Sequence, residues 1–258
     1  SKRMKKVAID FGTKRTGFAF TDPTEMIVSK VKTVDTEDIF NELEENQPFS
    51  EIIIGLPINL KMNFTPSTYL AIDKAIEIGE IFSPVPVYLM DERFTTKIAG
   101  SMHKKEIIDG ISASILLEER LRGAKGTRVF WSLPNISAQI VDLISSIGPF
   151  KDVLILGNAL RGIEKYPIGS NIEIFEDNPV FFRLRSMSSN YTLNFGMVWD
   201  IILKKIEHAN LVICEGLDRE KIKNCFSDGT FVITENANVE GTLSVGGRWL
   251  KIEKINKR

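Results

Sequence analysis

The sequence predicts an α/β protein of two domains, a mixed-sheet domain followed by a second α/β domain. Three observations support this prediction. Residues 5–34 contain three short apolar runs separated by turns, the pattern of adjacent antiparallel strands. Residues 36–122 then alternate between helical and buried-strand patterns, and the small, flexible segment Gly123–Thr127 precedes a new α/β series. We therefore predict domains at 1–124 and 128–258.

The first domain is predicted to be a three-stranded meander that continues into alternating helices and strands. Apolar positions recur at helical spacing in Ile39, Phe40 and Leu43, and Asp35 or Thr36 is placed to cap that helix. The predicted strands are 5–11, 16–21, 27–34, 51–55 and 85–90. One predicted helix begins at residue 36, and two others cover residues 66–82 and 105–122.

The second domain is predicted from the same two patterns. Its short apolar runs are flanked by amphipathic stretches long enough to be helices. The predicted strands are 152–156, 171–175, 210–214, 230–234 and 248–255, and the predicted helices are 136–147, 179–187, 197–208 and 219–226.

The composition excludes several classes of function. The formal net charge is -1, so any nucleic-acid binding must come from a local basic patch and not from a global basic field. Cys214 and Cys225 form no CxxC pair and no Cys/His cluster, which argues against zinc and disulfide frameworks. No apolar run approaches the roughly 20 residues of a membrane helix. We therefore expect a cytoplasmic protein without a membrane partner.

Four acidic residues of the first domain are candidate metal ligands. Cutting a phosphodiester with two metal ions needs several converging carboxylates, because Mg²⁺ prefers hard oxygen ligands. Asp10 lies in an otherwise apolar strand, where an unpaired charge is costly, and Asp91 and Glu92 follow another apolar strand. Only one of that pair can share a given face of the sheet. Asp109 lies on the stripe of a helix that becomes apolar one turn later.

Each of these acids also has a structural interpretation. Asp10 could cap the turn at Gly12, the Asp91-Glu92 pair could be a solvated strand end, and Asp109 could be a first-turn acid that interacts with the helix dipole. Periodicity alone leaves these alternatives open.

Four motifs in a fixed order resemble the YqgF/RuvX family, and they are Ile9–Gly17, Gly55–Asn59, Asp91–Thr96 and Ile108–Ile111. The resemblance covers about residues 4–122. It implies an RNase H-like fold and a nuclease that acts on Holliday junctions or on the precursor of small-subunit rRNA. It also implies that the candidate catalytic residues are Asp10, Asp91, Glu92 and Asp109. Within that set, Mg²⁺ or Mn²⁺ would be held by Asp10, Glu92 and Asp109.

Residues beside these acids are candidate substrate contacts. Gly12 and Thr13 would allow close approach to a phosphate, while Lys14, Arg15 and Arg93 can pair with phosphate oxygens. The alternative for the basic residues is a solvated turn. The chain departs from the family pattern in residues 60–65 and in the short segment 97–103, where the family has a longer basic helix.

The second domain has the layout of a nucleotide-binding crevice. Gly157 follows a predicted strand, and Glu176 ends the next strand 19 positions later, close to the roughly 20 expected for an acid that meets a ribose hydroxyl. The domain is therefore predicted to be Rossmann-like, and it resembles class I S-adenosylmethionine-dependent methyltransferases. Gly157 and Glu176 are the cofactor-binding candidates.

The glycine-rich turn of this crevice departs from the expected pattern. Ala159 and Leu160 stand where a cofactor would need small residues and an open path. We therefore predict a degenerate methyltransferase-like domain that does not bind S-adenosylmethionine and serves for substrate docking or self-association. Glu176, Asp177 and Glu215 would then be ordinary surface acids.

The leading functional prediction is an endonuclease, a divalent-metal-dependent phosphodiester hydrolase that acts on structured RNA or branched DNA. Two alternatives stay open. One is a catalytically inactive nucleic-acid-binding protein of the same fold, and the other is a bifunctional nuclease and methyltransferase. A homodimer is compatible with the sequence.

Overall fold

The computed structural model describes residues 3–58, 63–92, 105–236 and 240–258, except for the side chains of residues 105–109. The chain divides into two compact units, Ser1–Trp131 and Ser132–Arg258. Each unit is built on one sheet that contains both parallel and antiparallel strands, so the predicted α/β class is confirmed. Within the described ranges, no helix has the length and apolar character needed to cross a membrane.

The strands of the first unit form a single mixed sheet. They are β1 (Lys5–Asp10), β2 (Arg15–Thr21), β3 (Val28–Asp35), β4 (Phe49–Leu56), β5 (Val87–Asp91) and β6 (Thr127–Arg128), and they are ordered β3-β2-β1-β4-β5-β6. The strands β1, β2 and β3 are an antiparallel meander, β4 and β5 run parallel to β1, and β6 is antiparallel to β5. The helices are α1 (Ile39–Asn46), α2 (Pro66–Ile81) and α3 (Lys105–Leu121).

Helix α3 covers one face of this sheet. A single buried cluster joins side chains of α3 to side chains of four strands, and it contains Ala8, Ala19, Ile53, Met90, Ala113, Leu116 and Leu117. Side chains alternate between the two faces along a strand. Every strand residue an even number of positions from these cluster members therefore also lies on the α3 face.

The C-terminal end of α3 is fixed to the start of β4. Arg120 donates to both carboxylate oxygens of the buried Glu51, over 2.7 Å from Nε and 3.1 Å from Nη2. This hydrogen bond raises the pKa of Arg120. At the other end of α3, a Cβ added to Gly110 would lie 2.8 Å from Val31 and 3.5 Å from Thr33. The helix therefore spans the sheet from the amino ends to the carboxyl ends of the parallel strands.

The second unit has a seven-stranded sheet with helices between its strands. The strands are β7 (Asp152–Leu156), β8 (Asn171–Glu176), β9 (Thr192–Phe195), β10 (Leu211–Glu215), β11 (Phe231–Glu235), β12 (Leu243–Val245) and β13 (Arg248–Lys254). The helices are α4 (Ala138–Ile147), α5 (Pro179–Arg185), α6 (Trp199–Ile206) and α7 (Gly216–Lys221).

The strand order of this sheet is β12-β13-β11-β10-β7-β8-β9. Strands β7 to β11 are mutually parallel, and β13 is antiparallel to β11 and β12. Strands β8 and β9 lie on one side of β7, whereas β10 and β11 lie on its other side. The strand order therefore reverses at β7. Buried apolar clusters cover both faces, one including Ile140 and Ile144 of α4 and the other Ile202 and Ile206 of α6.

Most predicted helices and strands are present within a few residues of their expected bounds. The strands β6, β9 and β12 were not predicted, because they are only two to four residues long and contain no sustained apolar pattern. Since β6 pairs with β5, the first unit continues to Trp131, past the predicted flexible segment at 123–127. The helix predicted at 219–226 is observed earlier, at Gly216–Lys221.

Candidate functional site

The carboxyl ends of the parallel strands in the first unit bring two of the predicted acids to one edge of the sheet. Asp10 is the last residue of β1, and the pairing of Ile9 with Ile54 places Asp10 level with Gly55 of β4. On its other side, Asp10 pairs with Gly17 of β2. Asp10 is therefore flanked by a glycine on each neighbouring strand, and neither neighbour places a side chain beside its carboxylate.

Strand alternation separates Asp91 from Glu92. Met90 belongs to the cluster on the α3 face, so Glu92, two residues later, lies on that same face and Asp91 lies on the opposite one. Ala8 belongs to the same cluster, which places Asp10 on the α3 face as well. The α3 face therefore carries Asp10 and Glu92 but not Asp91.

The carboxylate of Glu92 lies directly over Gly55. The backbone N–H of Glu92 donates to the carbonyl of Leu56 over 3.3 Å, which continues the register of β5 with β4. A Cβ added to Gly55 would lie 1.8 Å from Glu92 Oε1 and 2.6 Å from its Cδ. Glu92 Oε1 is buried. Gly55 is therefore the residue that makes room for this carboxylate beside Asp10.

The turn after β1 is held by the end of β3. The hydroxyl of Thr36 donates to the carbonyl of Gly12 over 2.7 Å, and the Thr36 backbone N–H donates to the carbonyl of Lys14 over 2.9 Å. A Cβ at Gly12 would lie 2.2 Å from the carbonyl oxygen of Arg15, so the turn itself requires glycine. Thr13, Lys14 and Arg15 are exposed at this turn.

Two predicted site residues fall outside the description, namely Arg93 and the side chain of Asp109. The backbone of α3 can still be placed. Gly110 lies against Val31 and Thr33 of β3. Through β2, Val31 is level with Ala8 and Thr33 is level with Asp10. This part of α3 therefore lies over the sheet between the rows of Ala8 and Asp10.

The donor chemistry of this edge fits a hard divalent cation. Asp10 and Glu92 offer carboxylate oxygens on one face, and the space over Gly55 that a Cβ would fill holds one of those carboxylates. Among side chains that the structure describes, no group of three or more His, Cys, Asp or Glu residues could hold a metal ion. The side chain of Asp109 lies outside that description.

The predicted crevice of the second unit is occupied by the chain itself. Gly157 follows β7 with φ +57°, and Glu176 ends β8. Arg161 donates to both carboxylate oxygens of Glu176, over 2.7 Å from Nε and 2.9 Å from Nη2. Arg185 Nη1 lies 3.5 Å from Glu176 Oε1, and the Asn178 N–H donates to Oε2 over 3.2 Å.

Two expectations for this crevice need correction. Leu160 does not obstruct the cofactor path, because its side chain is fully buried in the core cluster that includes Ile140 of α4. Glu176 is not a surface acid, because it is fully buried among its arginine and backbone partners. Arg161 and Arg185 were not predicted from the sequence, where the signal for them was an arginine within the segment Gly157–Gly162.

Comparisons with known proteins agree with the motifs of the first unit. The family model for RuvX, described as Holliday junction resolvase, matches residues 4–123. A protein of Porphyromonas gingivalis that is provisionally named pre-16S rRNA nuclease is 31% identical over 131 residues, which is 45% of this chain and 94% of that relative.

Two solved structures are also similar. T. thermophilus RuvC in complex with a Holliday junction substrate is 13% identical, with a TM-score of 0.35, over 48% of this chain and 99% of RuvC. The 16S rRNA methylase RmtB is 11% identical, with a TM-score of 0.33, over 75% of this chain and 85% of RmtB.

Proposed function

The chain belongs, through residues 4–123, to the RuvX family of Holliday junction resolvase-type proteins, and on that premise we propose that its first unit is a divalent-metal-dependent endonuclease for structured nucleic acid. The observation that carries the proposal is the placement of Asp10 and Glu92 on one face at the carboxyl edge of the sheet. That edge is where α/β folds bind their substrates.

We assign the third acid of this centre to Asp109. Arg120 binds Glu51 on the α3 face of the sheet, and positions 109 and 120 are separated by three turns of helix. That spacing puts position 109 on the sheet-facing side of α3, and the contacts of Gly110 with Val31 and Thr33 support a location near the row of Asp10. We further propose that Glu92, and not Asp91, is the acid of the adjacent pair that binds the metal.

In this proposal Asp10, Glu92 and Asp109 hold Mg²⁺ or Mn²⁺, which would supply charge stabilisation at the phosphate and a lower pKa for the attacking water. The exposed Lys14 and Arg15 bind the phosphates beside the cut and orient the strand.

A cleavage assay tests the assignment with a matched control. Asp10→Asn and Glu92→Gln each remove one charged ligand and should lower the rate at least about 100-fold, because charge stabilisation by a metal contributes several kcal/mol. Asp91→Asn alters the adjacent acid on the opposite face and should leave the rate within a few-fold of wild type. Equal rates in all four proteins would refute the proposed centre.

The substrate is proposed from the relative, whose name refers to pre-16S rRNA. We propose that an rRNA precursor is cut in preference to a four-way DNA junction. The same assay, run on both substrates with the Asp10→Asn protein as background, distinguishes the two. Faster cleavage of the junction would move the assignment to branched DNA.

We also propose that the second unit is a Rossmann-like, methyltransferase-type domain that does not use S-adenosylmethionine. The reversal of strand order at β7 is the arrangement of doubly wound sheets, and the ribose-type acid Glu176 is already engaged by arginine. Calorimetry with S-adenosylmethionine should detect no heat of binding. Saturable binding would contradict the proposal and revive the bifunctional alternative.

A further inference from the structure

The carboxyl edge of β7 and β8 contains a buried cluster of four charges. Glu164, Glu176 and Arg185 have fully buried side chains, and the side chain of Arg161 is 11% exposed. Arg185 pairs with Glu164 over 2.8 Å and Arg161 with Glu176 over 2.7 Å, so two cations balance two anions. Such a group is costly to desolvate unless every partner is in place.

Glu176 is saturated within this cluster. Its Oε1 faces Arg161 Nε and Arg185 Nη1, and its Oε2 faces Arg161 Nη2 and the Asn178 N–H. A carboxylate offers about four acceptor sites in total. Two of the four sites accept hydrogen bonds from the Arg161 guanidinium. The cis-diol of a ribose also offers two donors.

Arg161 also has the stacking contact expected of a bound base. Its guanidinium carbon lies 4.0 Å from the centre of the Phe181 ring, and Nη1 donates to Asn158 Oδ1 over 2.6 Å. Arg161 comes from the turn directly after β7, where the strand order reverses and where doubly wound sheets bind nucleotides. One side chain therefore supplies a paired donor and a flat stacking surface at that position.

We propose that Arg161 is an internal ligand that closes a ribonucleoside site in the second unit. Its guanidinium takes the hydrogen bonds of Glu176 that a ribose diol would take, and its outer edge reaches solvent. Removing the guanidinium frees two acceptor sites on Glu176 and uncovers the face of the buried Phe181 ring against which it packs. This proposal rests on the doubly wound interpretation of the second sheet and is independent of the nuclease activity of the first unit.

The experiment measures nucleoside binding to the full-length chain. Wild type, Arg161→Ala and Arg161→Gln are titrated with adenosine and with 2′,3′-dideoxyadenosine, which lacks both ribose hydroxyls. Wild type should bind neither at millimolar concentration. Arg161→Ala should bind adenosine with a millimolar Kd and prefer it to the dideoxy compound by at least about tenfold, because only the diol can donate to Glu176. Arg161→Gln keeps one donor and should show a smaller preference.

Arg219→Ala is the matched control. Arg219 pairs with Glu253 over 3.2 Å and lies 4.8 Å from the Phe226 ring, so it has the same kinds of contact without touching Glu176. This variant should lose stability without gaining adenosine binding. Adenosine binding to wild type as tight as to Arg161→Ala would overturn the proposal, as would equal affinity of the variant for the two nucleosides or no binding at all.

Loss of folding does not remove the test. If Arg161→Ala is unfolded on its own, adenosine should restore its cooperative melting transition at millimolar concentration and dideoxyadenosine should not. Methylguanidinium, which reproduces the missing group, should restore it too. Failure of adenosine to restore the fold would reject the site. Cleavage by the first unit, measured in the same samples, reports separately on the nuclease proposal.

Discussion

Gly55→Ala is the substitution that most directly tests the arrangement of Glu92 over β4. The new Cβ would lie 1.8 Å from Glu92 Oε1, 2.6 Å from Cδ and 2.8 Å from Cγ, whereas ordinary van der Waals contact begins at 3.4 Å. The Glu92 side chain must therefore retreat by more than an ångström. Because the clashing atoms belong to the flexible end of a side chain, we expect the strand itself to stay in place.

The expected cost falls on metal binding more than on stability. Mg²⁺ requires oxygen ligands at about 2.0–2.1 Å in nearly octahedral geometry, so a carboxylate displaced this far no longer binds well. We expect metal affinity to fall about 10–100-fold, as for other changes that misplace a ligand. Crowding should cost about 1–3 kcal/mol of unfolding free energy, partly offset by the about 0.5–1 kcal/mol that alanine gains over glycine in a strand.

Mn²⁺ titration by calorimetry, thermal unfolding and the cleavage assay measure these effects together. Gly79→Ala is the control, because a Cβ there would make only ordinary contacts, 3.5 Å to Trp131 and 3.6 Å to Val129. It should leave metal affinity and cleavage unchanged. The reasoning is refuted if Gly55→Ala remains folded and binds Mn²⁺ and cleaves as wild type does.

Three further predictions concern single side chains. Arg120→Ala should lower the unfolding free energy in urea by about 2–3 kcal/mol, because it leaves the carboxylate of Glu51 buried without its main partner, and an unchanged midpoint would contradict this. Burial raises the pKa of Asp218, so its contribution to stability is present at low pH and is lost as the pH rises through the folded-state pKa. Asp218→Asn should therefore raise Tm at neutral pH but not at about pH 3, where both side chains are neutral, and a gain that is equal at the two pH values would count against it. Burial raises the pKa of the Cys214 thiol to about 12, so maleimide should label only Cys225 in the folded chain and both cysteines after unfolding; native labelling of Cys214 would show that the core opens.

The first sheet could be predicted because its pattern is local. Alternation of apolar residues and the glycine turn define β1 and β2, and the position of Asp10 in an apolar strand makes it a candidate site residue without knowledge of the fold. The choice between Asp91 and Glu92 could not be made in this way. Both faces of β5 are buried, so the sequence shows that the two acids diverge but not which face α3 covers.

The charged cluster of the second unit was beyond prediction from the sequence for a different reason. Counting from Gly157 correctly located Glu176 at the end of a strand. Its partner Arg161 comes from a turn 15 residues earlier, and Arg185 from a helix that follows the strand. Ion pairs between such segments have no periodic signature. The sequence therefore indicated the acid but not the arginines that pair with it.

Because α3 is attached to the sheet at its C-terminal end, the length of this helix decides where its first turns lie relative to the proposed metal centre. Arg120 holds the helix in one rotational setting on the sheet, while position 109, the proposed third acid, lies three turns away along the helix. One residue inserted between them would rotate the first turns by about 100° and advance them by about 1.5 Å. Substitutions between positions 109 and 120 are therefore tolerated more readily than insertions or deletions. Relatives should differ in the residues of this stretch but not in its length.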